Sequence, residues 1–135
     1  MRNITHIVIH CTGARQDQSV DSILRYWKEI KKWKQVGYHR LIESSGKINK
    51  LADFEQVTNG VGGHNSNSIH ICYIGGEFSD DRTPEQKAAI LTCIKEAVEW
   101  IENPKDVIIQ GHRDFPGVAK SCPQFDCSEY SWITA

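Results

Sequence analysis

No stretch of this chain is apolar for more than a handful of residues. Runs such as Ile7-Val8-Ile9 fall far short of the ~20 residues that a membrane span needs. No membrane insertion is therefore expected. Neither sign of charge dominates: 16 Lys and Arg stand against 17 Asp and Glu, a net charge of −1. That balance argues against nucleic-acid affinity driven by bulk charge, and against a polybasic membrane anchor. Met1-Arg2-Asn3 runs at once into polar Thr5 and His6, so the apolar centre of a secretory leader is missing. The expectation is synthesis in the cytoplasm without a signal peptide. The chain has no internal repeat, no low-complexity segment and no CxxC pair. Its cysteines are odd in number: Cys11, Cys72, Cys93, Cys122 and Cys127. A disulfide framework is not expected, and the thiols read as reduced. Each one is first of all a small buried hydrophobe, but a cysteine near a histidine is a candidate for metal or catalytic duty. The HExxH motif is also absent, and with it the helix-borne Glu base it supplies.

What is present describes one ordinary α/β domain over residues 1–135. With 135 residues, 39% hydrophobic and 24% charged, the chain can bury about two thirds of its unfolded surface without a staple. Residues 3–11 read as a central strand covered on both faces, because Ile4, Ile7, Val8 and Ile9 form a nearly continuous β-branched run. Residues 19–33 switch to helical spacing with Val20, Ile23, Leu24, Trp27 and Ile30 on one stripe and Ser19 as N-cap. Residues 37–43 and 47–51 read as a hairpin about Ser44-Ser45-Gly46. The Gly- and Asn-rich stretch 58–67 is a surface loop. Residues 68–74 form a fourth strand. Thr83-Pro84-Glu85-Gln86 starts a helix as a capping box with Pro at the first position. Its stripe is Ala88, Leu91, Ile94, Val98 and Ile101, and Asn103-Pro104 ends it. Residues 107–110 form a fifth strand, and a short terminal helix is expected near 128–133. The prediction is a central mixed sheet of five to six strands flanked by α-helices.

The chemistry-bearing residues gather where strands end, as ligand sites commonly do. His10 ends the first strand and His112 follows the fifth. Cys122 lies ten residues later, in a loop pinned by Pro116 and Pro123. Two imidazoles and a thiolate suit Zn²⁺, and three protein ligands leave a fourth position open for water. His6 shares strand parity with His10 and is the rival ligand. His39 and His70 read as packing or supporting groups, and His64 as an exposed rim residue. Lys120, two residues before Cys122, could meet the charge of a tetrahedral intermediate. Tyr38, after Gly37, could orient or deprotonate a water. Taken alone, each reads first as an ordinary residue, Lys120 as a solvated loop lysine and Tyr38 as a half-buried strand tyrosine.

Taken in order, Ile9-His10-Cys11-Thr12, Val36-Gly37-Tyr38-His39, Asn67-Ser68-Ile69 with Ile74-Gly75-Gly76, and His112-Arg113-Asp114 with Lys120-Ser121-Cys122-Pro123 form a specific set. The chain resembles the zinc-dependent N-acetylmuramoyl-L-alanine amidases of the phage-lysozyme and peptidoglycan-recognition-protein type, from residue 4 to about 132. The resemblance implies Zn²⁺ on His10, His112 and Cys122, with Tyr38 and Lys120 as the catalytic pair. It also implies substrate contact at Asn65 and Thr12. Lys120, where many recognition proteins carry Thr, places the chain nearer the phage and bacterial branch. There are departures. Trp27-Lys28 stands for the family's Trp-His, and Lys32-Trp33 for its Gly-Trp. Gly60 stands at the first position of its His-Ala-x-Gly-x-Asn loop, where Gly63 and Asn65 match. None of these touches the expected metal or the catalytic pair.

The implied function is hydrolysis of the amide between the lactyl group of N-acetylmuramic acid and L-alanine. The implied partner is bacterial peptidoglycan, met by a monomer after its release from the cytoplasm in phage lysis or by a secretion system. Three rivals remain: a non-catalytic peptidoglycan-binding module on the same fold, a metal-free hydrolase with Cys122 as nucleophile and His112 as base, and an inert structural zinc site.

Overall fold

A computed structural model describes residues 2–134. Its five strands are β1 (His6–Cys11), β2 (Arg40–Ile42), β3 (Ile48–Lys50), β4 (Ser68–Tyr73) and β5 (Ile108–Gly111). They form one sheet in the order β3-β2-β4-β1-β5. β1 runs parallel to both β4 and β5, and β2 parallel to β4. Only β3 is antiparallel, closing the expected hairpin with β2. The sheet is mixed, and it has five strands.

The central strands are covered on both faces, as the apolar run Ile7-Val8-Ile9 of β1 requires. Ile7, Val8 and Ile9 are fully buried, as are Ile69, Ile71 and Cys72. Strand periodicity divides them. Ile7, Ile9, Ile69, Ile71 and Tyr73 pack on α2 (Pro84–Trp100). His6, Val8 and His10 point to the opposite face, as do His70, Cys72 and Ile74. On that face Ile23 and Trp27 cover Leu41, Cys72 and Ile74, while Val61 and Phe115 cover Val8.

The capping box of α2 forms as read: the Thr83 hydroxyl accepts from the Gln86 N–H, and the Gln86 side chain accepts from the Thr83 N–H. The apolar stripe is turned by about one residue from the expected one. Ala89, Ile90, Cys93, Ile94 and Ala97 are buried, whereas Ala88 is exposed and Leu91 and Val98 sit at the flanks. Ala89, Cys93 and Ala97 lie against the sheet beside fully buried Ile90 and Ile94, and Leu91 and Val98 close the edges. The first helix also differs. Only α1 (Val20–Arg25) is α-helical, capped by Ser19 as expected. It widens into a single π turn over Tyr26–Ile30. The Lys31 N–H reaches the Tyr26 C=O, five residues back. This wider turn shifts the phase, so Trp27 stays buried while Ile30 is 68% exposed. The terminal helix is a 3₁₀ segment over Cys127–Thr134. No helix among the described residues is long and apolar enough to cross a membrane.

Candidate active site

The parallel register places the C-terminal ends of β1 and β5 side by side. This is the side where ligands meet parallel sheets. His10 lies one residue from the end of β1, 1% exposed. His112 opens a 3₁₀ turn immediately after β5. The Gly111 N–H donates to Asp114 Oδ2 at 2.8 Å, which fixes that turn. Gly111 has no alternative, since a Cβ there would lie 2.6 Å from Pro123 Cδ. The close approach of Pro123 delivers Cys122. Two further bonds hold it: the Arg113 N–H donates to the Cys122 C=O at 2.9 Å, and the Cys11 N–H donates to Cys122 Sγ at 3.1 Å.

One ligand atom each from His10, His112 and Cys122 lies within 4.8 Å of the other two. The three residues expected to ligate are therefore brought together and could hold a metal ion. Burial, then the nearby His70, His112 and Lys120, push the His10 pKa well down. Burial and Lys120 lower that of His112. Both imidazoles are thus neutral, the form that ligates metal. His10 Nε2 is engaged by His70, but its Nδ1 is buried with no hydrogen-bond partner among the described residues. A buried ring nitrogen without a partner is costly, and a cation beside it would relieve that cost. The neighbouring Cys11 thiol and burial push the Cys122 thiol up. Without a cation it stays protonated at neutral pH, which counts against a free cysteine nucleophile. His6, the rival ligand, is elsewhere: its Nδ1 meets Thr5 Oγ1 at 2.8 Å and its ring lies 5.2 Å from that of Phe115.

The group opens into a cleft of about 710 Å³ lined by Thr12, Tyr38, Lys120 and Cys122, with Tyr26, Trp27 and Trp33 among its further lining residues. Tyr38 stands with its ring 4.9 Å from that of His10 and 5.3 Å from that of Trp27. Buried Arg40 steadies this segment by donating to the C=O groups of His39 and Ala52. Burial, with the Cys72 and Cys122 thiols nearby, pushes the Tyr38 phenol well up, so it is a neutral hydrogen-bond donor. Lys120 is exposed on the rim, close enough for its charge to act on both imidazoles. Thr12 lines the cleft. Asn65 does not. It turns inward, its Oδ1 accepting the Val61 N–H at 2.8 Å and facing His70 Nε2 at 2.9 Å. Sequence reasoning misses Tyr26 and Trp33 as walls of the cleft. Their signal is the aromatic and basic cluster over residues 26–33, part of which reads as a helix stripe and its C-terminus.

His39 is fully buried. Its Nδ1 accepts the His70 N–H at 3.0 Å and its Nε2 donates to the Gln56 C=O at 2.7 Å. Burial above all, with the charges of Arg2 and Arg40, brings its pKa from 6.5 to about 4. The folded value lies below the unfolded one, so the native state binds fewer protons between the two. Stability that is complete above pH 6.5 is lost as the pH falls towards about 4. Urea midpoints of the metal-free protein should drop between about pH 7 and about pH 4.5, and His39→Gln should flatten that drop. An unchanged slope in the variant would assign the acid sensitivity to other groups.

A family model described as N-acetylmuramoyl-L-alanine amidase matches residues 1–125. The endolysin of Enterobacteria phage K11 is 33% identical over 129 residues, 90% of this chain and 82% of the relative. The endolysin of Escherichia phage T7 is 27% identical over 130 residues, 92% and 83% of the two chains. Among solved structures, the Ph2119 endolysin from Thermus scotoductus MAT2119 bacteriophage Ph2119 superposes with a TM-score of 0.78 at 22% identity, over 99% of this chain and 86% of that one. That likeness describes the fold. With the family match spanning nearly the whole chain, the protein belongs to the N-acetylmuramoyl-L-alanine amidase family.

Proposed function

We propose that this protein is a zinc-dependent amidase that degrades bacterial peptidoglycan as an endolysin does, cutting the amide between the lactyl group of N-acetylmuramic acid and L-alanine. The observation that supports this reading is the meeting, in one cleft, of a metal-competent His10–His112–Cys122 group with Tyr38 and Lys120. Two neutral nitrogens and one sulfur fit Zn²⁺. When bound, Zn²⁺ supplies Lewis acidity, lowering the pKa of water and polarising a carbonyl.

The chain's own groups do the rest. The aromatic wall of Tyr26 and Trp33, backed by buried Trp27, offers apolar surface to the ring and methyl groups of a muropeptide. Tyr38, held neutral beside His10, donates a hydrogen bond that orients the reacting groups. Lys120 brings a positive charge to the rim, where negative charge develops on the carbonyl oxygen. Water adds across the amide, and the products are a lactyl carboxylate and the free amino group of L-alanine.

The test is release of amino groups and L-alanine-terminated peptides from purified peptidoglycan, with chelator and with zinc restored. Chelator-sensitive release recovered by zinc is the expected result. Chelator-resistant release would point to Cys122 as a nucleophile. Retention of peptidoglycan without release would point to a recognition module.

A further inference from the structure

Behind the ligand group lies a line of hydrogen bonds that the proposed reaction does not use directly. β1 and β4 pair with Val8 opposite His70, so the His70 ring rises on the same face as His10. His10 Nε2 lies 2.9 Å from His70 Nδ1, and His70 Nε2 lies 2.9 Å from Asn65 Oδ1. The Asn65 atom also takes the Val61 N–H at 2.8 Å. A backbone N–H can only donate, so that atom is an acceptor. His70 Nε2 must therefore carry the proton, which leaves His70 Nδ1 bare. His10 Nε2 must then carry its own proton, which leaves Nδ1 of His10 bare. His10 and His70 are fully buried or nearly so, and a neutral imidazole has one proton to place.

The same ring is clamped in position. A Cβ at Gly60 would lie 2.3 Å from His70 Nδ1, so the loop backbone rests directly against it. A side chain at position 60 and the His70 ring would compete for one volume. On the far side the His39 ring stacks at 6.1 Å and 14°.

We infer that His70 and Asn65 are positioning residues, which hold His10 in the tautomer and orientation that present Nδ1 to the metal. Ring nitrogens that ligate metals depend on such partners for basicity and aim. This inference rests on the reading that His10, His112 and Cys122 bind Zn²⁺.

The test is Zn²⁺ affinity, measured by competition with a chromogenic chelator, together with the visible spectrum of the Co²⁺-loaded protein. Wild type should bind one equivalent. His70→Ala and Asn65→Leu should each weaken binding by ~10–100-fold and alter the Co²⁺ bands. His70→Gln, whose amide can accept from His10 and donate to Asn65, should restore most of the affinity. Asn65 is only half-buried, so its variant reports even if His70→Ala fails to fold. Wild-type affinity and an unchanged Co²⁺ spectrum in folded His70→Ala or in Asn65→Leu would overturn the inference. A wild-type protein that binds no Zn²⁺ would instead remove the zinc reading, and the inference with it.

Discussion

Replacing Lys120 by Ala should lower kcat for amide release by ~10²–10³ while KM and Zn²⁺ binding stay near wild type. Lys120 is exposed on the rim of the cleft, so its removal leaves no cavity and breaks no core contact. Its charge reaches His10 and His112 and is therefore near the ligand group. A charge so placed does little for a neutral amide in the ground state. It matters when the carbonyl oxygen turns negative, which is why the loss falls on kcat. Lys120→Arg keeps the charge but changes the reach and geometry of the head group, and partial activity is expected. Rates are read from amino groups released from purified peptidoglycan, and metal content from a parallel binding titration. Wild-type turnover in Lys120→Ala would remove this residue from the catalytic pair.

Cys122→Ser should bring both Zn²⁺ binding and activity to background while the fold persists. The hydroxyl occupies less space than the thiol and can still accept the Cys11 N–H, which now meets Sγ at 3.1 Å. The Arg113 N–H bond to the backbone C=O of residue 122 is untouched. What disappears is the one anionic ligand, since a serine hydroxyl does not ionise in this range. Cys11→Ser is the control. It changes a neighbouring thiol but keeps the Cys11 backbone donor, and it should retain metal and most activity. If Cys122→Ser kept Zn²⁺ at wild-type affinity, the metal site would have to be sought elsewhere.

Elements whose pattern depends on local spacing are legible in the amino-acid order alone. The β-branched run at Ile7–Ile9 and the alternating Ile69 and Ile71 of Ser68–Tyr73 are buried strands, and Thr83-Pro84-Glu85-Gln86 is a helix start, because each reports on its own neighbourhood. The π turn after Arg25 is not legible. Its residues have ordinary helical spacing, and Trp27 within it packs with Leu41 and Cys72 from distant strands. The buried face of α2 differs from the expected stripe by about one residue, with Ala89 and Cys93 joining Ile90 and Ile94 against the sheet, and small residues of that kind give a weak apolar signal. His10 and His112 are readable as strand-end residues of ligating type, and Cys122 as a thiol in the loop beyond them. Tyr38 and Lys120 gain weight only from the order of motifs. His70 reads only as a packing or supporting residue and Asn65 only as an implied substrate contact; that the two meet each other and His10 depends on the register between β1 and β4. Parallel register is set by long-range pairing and leaves no mark within either strand.

The ligand group also joins distant parts of the polypeptide. His10 lies in the first strand and Cys122 beyond the last, with most of the chain between them. An ion held by both closes a loop of more than a hundred residues. For a covalent link, a closure that long removes on the order of 4–5 kcal/mol of freedom from the unfolded chain. Coordination would act in the same direction, so metal affinity and folding are coupled. A chain whose last strand has not yet docked has His10 but neither of its companions. On the proposed reading the metal group would therefore assemble late, and competence to cut would arrive only with the completed sheet.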